Sequence, residues 1–257
     1  MRGRYLNSYR GLVLGLMLAV TSTVLAEEPN FKPQRVLFIG NSYTEHMRPC
    51  LTQMLDNSPW KQTHLEFITH SGMRLSQHLA DTNTVEKIHS GQWDRVILQE
   101  YSRLPALKGA AVESFQISVA KLSQEIRNAG AKPMLYMTWG RRDGDAENRE
   151  ILPDFKTMQM QLKASYEAAA EQNQAGLVPV GLVWSWIRDK DSAFGQELYD
   201  ADGSHPSTKG SCLAAAVFLQ NLFADDLTAE RRPAALNPQE WELIRVAVAD
   251  VNHSLSP

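Results

Sequence analysis

Short apolar runs of strand length alternate along this chain with longer amphipathic stretches, and that alternation restricts the fold more than any other feature. Arg35-Val36-Leu37-Phe38-Ile39-Gly40 reads as a buried strand ending in a Gly turn. Leu65–Thr69, Arg95–Gln99 and Pro133–Thr138 are further candidates, with Leu177–Val180 a weaker fifth. Helical periodicity fills the gaps at Met47–Leu55, Ala110–Ala129 and Phe155–Gln172, the last with Met158, Leu162 and Tyr166 every four residues. Thr208–Phe223 reads as a largely buried helix, and Pro238–Val251 closes the chain. Strands alternating with helices predict an α/β fold, a three-layer sandwich with a five-stranded parallel sheet covered on both faces. In such sheets ligands bind beyond the carboxyl ends of the strands. Chemistry is therefore to be sought directly after each run.

After the first run comes Gly40-Asn41-Ser42-Tyr43-Thr44. A Ser at a strand-to-helix turn presents its hydroxyl outward with its own N–H free, which suits a nucleophile. The same pattern serves as a plain helix cap or a phosphate-binding loop. After the second run, Gly72 in His70-Ser71-Gly72-Met73 is either a turn residue or a backbone donor to a developing oxyanion. The third run ends abruptly in Gln99-Glu100-Tyr101-Ser102-Arg103, where the Gln99 amide either serves an oxyanion or satisfies loop backbone groups. Late in the chain, Asp200-Ala201-Asp202-Gly203-Ser204-His205-Pro206 precedes a buried helix. Asp202, three residues before His205, can accept one imidazole N–H and leave the other nitrogen as a base. Asp200 is the alternative partner.

These segments together resemble the spaced blocks of the SGNH/GDSL hydrolase superfamily. Gly40-Asn41-Ser42-Tyr43 is similar to its first block, Gly72 to the Gly of its second, and Asp202-Gly203-Ser204-His205 to its last. Asn41 stands where the family usually has Asp, and the third block's Gly-x-Asn-Asp is replaced by Leu98-Gln99-Glu100-Tyr101-Ser102. That replacement resembles a branch, including carbohydrate esterases, in which a Gln ends the strand. The resemblance implies a flavodoxin-like SGNH fold and a triad of Ser42, His205 and Asp202. It also implies an oxyanion hole from the N–H groups of Ser42 and Gly72 with the Gln99 amide. It further implies an ester substrate, with an O-acetylated carbohydrate or small molecule favoured, and no cofactor. A non-catalytic binder on the same fold and an acyltransferase are the alternative readings.

Asn41, Tyr101, Trp139 and Arg141 are candidate substrate contacts, with Trp184 in the same class; Trp139 suits stacking on a sugar and Arg141 an acidic substituent. Trp as a core plug and Arg as a solvated charge are the plainer alternatives. In the implied fold the first and last helices lie side by side, which makes a Cys50–Cys212 disulfide the expectation, against two small buried apolar residues.

Residues 1–26 read as a cleaved signal peptide, leaving 27–257 as one hydrolase domain. Arg2, Arg4 and Arg10 precede an apolar run from Gly11 to Val20, and Val24 and Ala26 supply the small residues of a cleavage site. The run is too short to span a bilayer, for which about 20 residues are needed. A periplasmic or secreted protein without membrane insertion follows. Removing that segment takes away three Arg and no acid, so the mature chain is more acidic than the full chain's −3. Such a surface offers no electrostatic reason to bind nucleic acid. No His-Glu-x-x-His, paired Cys spacing, Walker motif or dinucleotide fingerprint occurs, and Asp143-Gly144-Asp145 is only half a calcium loop, so no metal site is expected.

Overall fold

The structure is a computed structural model and describes residues 32–255; the expected signal peptide lies outside the described residues. Five parallel strands form one sheet: β1 (Arg35–Gly40), β2 (His64–Thr69), β3 (Arg95–Leu98), β4 (Lys132–Tyr136) and β5 (Gly176–Val178). Their order is β2-β1-β3-β4-β5, so β1 lies between β2 and β3 and the winding reverses there. The crevice at such a reversal is where this architecture binds ligands.

Alternation along the strands builds two cores. Val36 and Phe38 of β1, Ile97 of β3 and Tyr136 of β4 face one side. Leu37 and Ile39, Val96 and Leu98, and Leu135 face the other. The first side is covered by α1 (Ser42–Asp56), α6 (Val180–Lys190), α7 (Ser192–Glu197), α8 (Thr208–Phe223) and α9 (Pro238–Leu255). The second carries α2 (Leu75–Ala80), α3 (Thr82–Ser90), α4 (Ala110–Asn128) and α5 (Phe155–Gln172). Phe38 is fully buried between Phe67 and Phe218, with ring centroids 4.8 and 5.3 Å away. Each such side chain contributes about 1.5–3 kcal/mol by leaving water. Among the described residues no helix is long and apolar enough to cross a membrane.

Some boundaries differ from the sequence expectation for local reasons. Helix α1 begins at Ser42 rather than Met47 because the Asn41 side chain caps it, accepting from Tyr43 N–H. The last strand stops at Val178 because Pro179 has no N–H for the ladder, and Val180 opens α6.

Helices α1 and α8 pack side by side, and a Cys50–Cys212 disulfide joins them with Cα atoms 5.3 Å apart. The bond closes a span of 162 residues, for which chain entropy gives about 5 kcal/mol of stabilisation. The double variant Cys50→Ala/Cys212→Ala is expected to melt about 10–20 °C lower, a range set by the domain's size. Differential scanning calorimetry measures it, and an unshifted transition would contradict the assignment.

Candidate active site

Gly40 ends β1 where the chain must pass tightly. A Cβ there would lie 2.5 Å from Thr44 Oγ1 and 2.6 Å from Gln99 Oε1, so only glycine fits. His78, fully buried on α2, donates from Nε2 to the Gly40 carbonyl (2.9 Å). Burial pulls the His78 pKa below its ordinary value and favours the neutral ring. Asn41 then caps α1, and its Nδ2 donates to the Met73 carbonyl (3.1 Å), tying this turn to the loop that carries Gly72. Ser42 opens α1, so its N–H has no helix carbonyl to bond. Gly72 sits exposed after β2 with φ +69°, a left-handed conformation that glycine adopts without strain. Its N–H is unpaired among the described residues.

The loop before α8 brings the imidazole to this turn. Ser42 Oγ lies 2.9 Å from His205 Nε2, and His205 Nδ1 lies 2.6 Å from Asp202 Oδ2. A carboxylate can only accept, so Nδ1 carries the proton and Nε2 accepts from the Ser42 hydroxyl. Asp202 Oδ1 also accepts from the N–H groups of Ser204 (2.8 Å) and His205 (2.9 Å). Partial burial pushes the Asp202 pKa up, but the His205 ring and these two N–H groups outweigh it and hold the carboxyl at about 2. Asp200, the alternative partner, is exposed and contributes backbone bonds, its N–H donating to the His205 carbonyl (2.9 Å). The structure therefore places Asp202, not Asp200, on the ring.

Solved structures carry the same fold, with sequence likeness at differing levels. A protein assigned to the SGNH hydrolases from Slackia heliotrinireducens is 32% identical, with a TM-score of 0.61, over 74% of this chain and 98% of its own. The chain belongs to the SGNH hydrolase superfamily. A DUF4886 family protein from Bacteroides uniformis shares this SGNH hydrolase's fold at 16% identity and TM-score 0.67, over 85% of this chain and 94% of that one. The acetyl xylan esterase AlAXEase does so at 14% identity and TM-score 0.59, over 72% and 98%. No family model and no curated protein sequence matches.

Four side chains expected to meet substrate are buried in this SGNH hydrolase. Gln99 is fully buried, its Oε1 accepting from Asn41 N–H and Thr44 Oγ1–H (2.9 Å each) while its Nε2 donates to the Glu100 carbonyl. Backbone N–H can only donate, so the amide cannot be turned the other way, and one of its two Nε2 hydrogens is spent on the Glu100 carbonyl. Gln99 thereby braces the nucleophile turn. Asn41, 2% exposed, is spent on its cap and on Met73. Trp139 is fully buried, stacked between Tyr43 (4.7 Å) and Trp184 (4.0 Å), and its Nε1 donates to the Ser204 carbonyl (3.1 Å). Both Trp139 and Trp184 are core plugs under the His205 loop. Tyr101 and Arg141 remain partly exposed, the latter tied to Asp145 (3.1 Å) and to Ser102 Oγ (3.3 Å). Among the described residues no group of three His, Cys, Asp or Glu side chains is arranged to hold a metal ion.

Tyr43, Ser204 and Glu100 join the site without a motif to mark them. Tyr43 and Ser204 hydroxyls share a hydrogen bond (2.7 Å), a second tie beside the Ser42–His205 contact. Their only sequence signal is that each adjoins a candidate catalytic residue. Glu100 is fully buried, its Oε1 accepting from Tyr101 N–H (2.6 Å) and Leu75 N–H (3.1 Å), while its Oε2 has no partner among the described residues. It thereby fastens the start of α2 to the end of β3.

Burial pushes the Glu100 pKa up to about 7, against the two N–H groups and Arg74 that favour its charge. The folded value lies above the ordinary 4.5, so the native state holds this proton longer than the unfolded chain. Its contribution is intact at acid pH and is lost as pH rises towards about 7. Glu100→Gln keeps an acceptor for both N–H groups without a charge to bury. Its melting temperature is expected to exceed the wild type's by more at pH 8 than at pH 5. Circular dichroism melts at both values test this, and an equal difference would argue against it.

Proposed function

We propose that this chain is an exported serine esterase that removes an acyl group, with O-acetyl on a carbohydrate the favoured substrate. The observation that carries the reading is the unbroken hydrogen-bonded series Ser42–His205–Asp202 at the reversal of the sheet. His205 Nε2 takes the Ser42 proton as Oγ attacks the ester carbonyl carbon. The resulting oxyanion receives the N–H groups of Ser42 and Gly72. Collapse breaks the bond to the alcohol, which leaves with the proton from His205. Water, deprotonated by the same nitrogen, then attacks the acyl carbon and frees Ser42 and the acid. Asp202 stays ionised throughout and balances the imidazolium.

The N-terminal basic and apolar segment supports export, as does a disulfide, which persists in oxidising compartments. The acetyl xylan esterase of the same fold supports a sugar ester as substrate. A panel of acetylated sugars against short- and long-chain p-nitrophenyl esters, read by released acid, tests the reading. Faster turnover of acetylated sugars supports it, and turnover of no ester would overturn it. Adding free sugar as acceptor separates hydrolysis from acyl transfer.

A further inference from the structure

Two hydrogen bonds fix the edges of the His205 ring, from Ser42 at Nε2 and to Asp202 at Nδ1. The Tyr43 ring also meets it edge-on, at 5.5 Å and 66°. A second imidazole lies against a face of the ring: His46 has its centroid 5.0 Å from that of His205, with the planes 26° apart. His46 stands on α1 four residues after Ser42, and residues so spaced share one side of a helix. Its side of the helix is thus the side on which the Ser42 hydroxyl meets its base.

His46 is exposed, and its ring makes no hydrogen bond or ion pair among the described residues. The helix is capped by Asn41 and anchored by Met47, Cys50, Leu51 and Met54, none of which needs a histidine at 46. The contact with His205 is its specific one.

We propose that His46 is a positioning residue for His205. This rests on the esterase reading above. A hydrogen bond restrains an imidazole in its plane but leaves it free to roll and swing towards solvent. The flat ring of His46 backs His205 against that motion, so that Nε2 stays on the Ser42 hydroxyl. It also excludes water from that face during proton transfer. The role needs a flat ring, not a titratable one.

The test uses reagents that acylate or phosphylate Ser42 whatever the natural substrate is. His46→Ala, His46→Phe and wild type are compared in the rate of inactivation by a fluorophosphonate and in turnover of p-nitrophenyl acetate. Loss of one aromatic contact is expected to slow His46→Ala about two- to tenfold in both, in kcat rather than KM. His46→Phe, which keeps the flat ring, is expected to recover to within about twofold of wild type, since most of that contact remains. Because the site is exposed, all three are expected to melt within about 2 °C of one another.

An Ala variant as fast as wild type overturns the proposal. So does a slow Ala variant that Phe fails to rescue, or a rise in KM with kcat unchanged, which would make His46 a substrate contact. A wild type that does not react with the fluorophosphonate overturns the esterase reading itself, and this proposal with it.

Discussion

Replacing Ser42 by Ala is expected to lower kcat on the preferred ester by on the order of 10⁶-fold, the scale seen when a triad nucleophile is removed. The fold should not suffer. The Ser42 side chain has no capping duty, because Asn41 accepts from the Tyr43 N–H in its place. Among the described residues its side chain bonds to His205 alone, across a partly open site. The variant should therefore melt with the wild type while its activity falls to the rate supplied by binding and backbone donors alone. Steady-state kinetics beside a circular dichroism melt reads both quantities. Retention of more than about a hundredth of wild-type kcat would be incompatible with Ser42 as nucleophile.

The second large effect is expected at Asp202. Two backbone N–H groups point at Oδ1, and neither can do anything but donate. In Asp202→Asn the amide oxygen must therefore take the Oδ1 place, and its NH2 then faces His205 Nδ1. That nitrogen becomes an acceptor, its proton moves to Nε2, and Nε2 can no longer take the proton of Ser42. The cost should be about 10⁴-fold in kcat, the size of the wrong-tautomer effect. Asp200→Asn is the control, since its exposed side chain does not touch the ring, and its kcat should stay within a few-fold of wild type.

The pH behaviour of this carboxylate follows from the same contacts. Its folded pKa, about 2, lies below the ordinary 3.8. Its contribution is thus complete above the ordinary value and is lost only as pH falls towards about 2. A decline of activity above pH 4 therefore reports other groups.

The elements that were legible in the sequence are the long periodic ones. Phe155–Gln172 and Thr208–Phe223 have the bounds their apolar spacing predicts. Helices α2 and α7, six residues each, are shorter than two turns, so no 3.6-residue period can declare itself. Helix α6 hid behind the apolar run from Leu177, which reads as strand until Pro179 ends the ladder.

At the site, the segments around Ser42 and His205 stood out because polar residues interrupt apolar runs where the sheet ends. What a side chain at such an end faces is another matter. Gln99 has the composition of an oxyanion donor, and what its buried oxygen does, accepting from the Asn41 N–H and the Thr44 hydroxyl, carries no sequence signal. Trp139 has the shape of a sugar platform, yet Tyr43 and Trp184 occupy both its faces. Those neighbours come from distant parts of the chain, and only packing brings them together. His46 lies hidden for the same reason, because its partner is at position 205.

Catalysis by this chain turns on whether the hydroxyl at 42 is made nucleophilic by the imidazole beside it. Intact mass and peptide mapping after fluorophosphonate treatment of the full chain measure this directly. One adduct on the peptide holding Ser42, strongly slowed in His205→Ala, is the expected result. Labelling elsewhere, or labelling of Ser42 at an undiminished rate without His205, would contradict it.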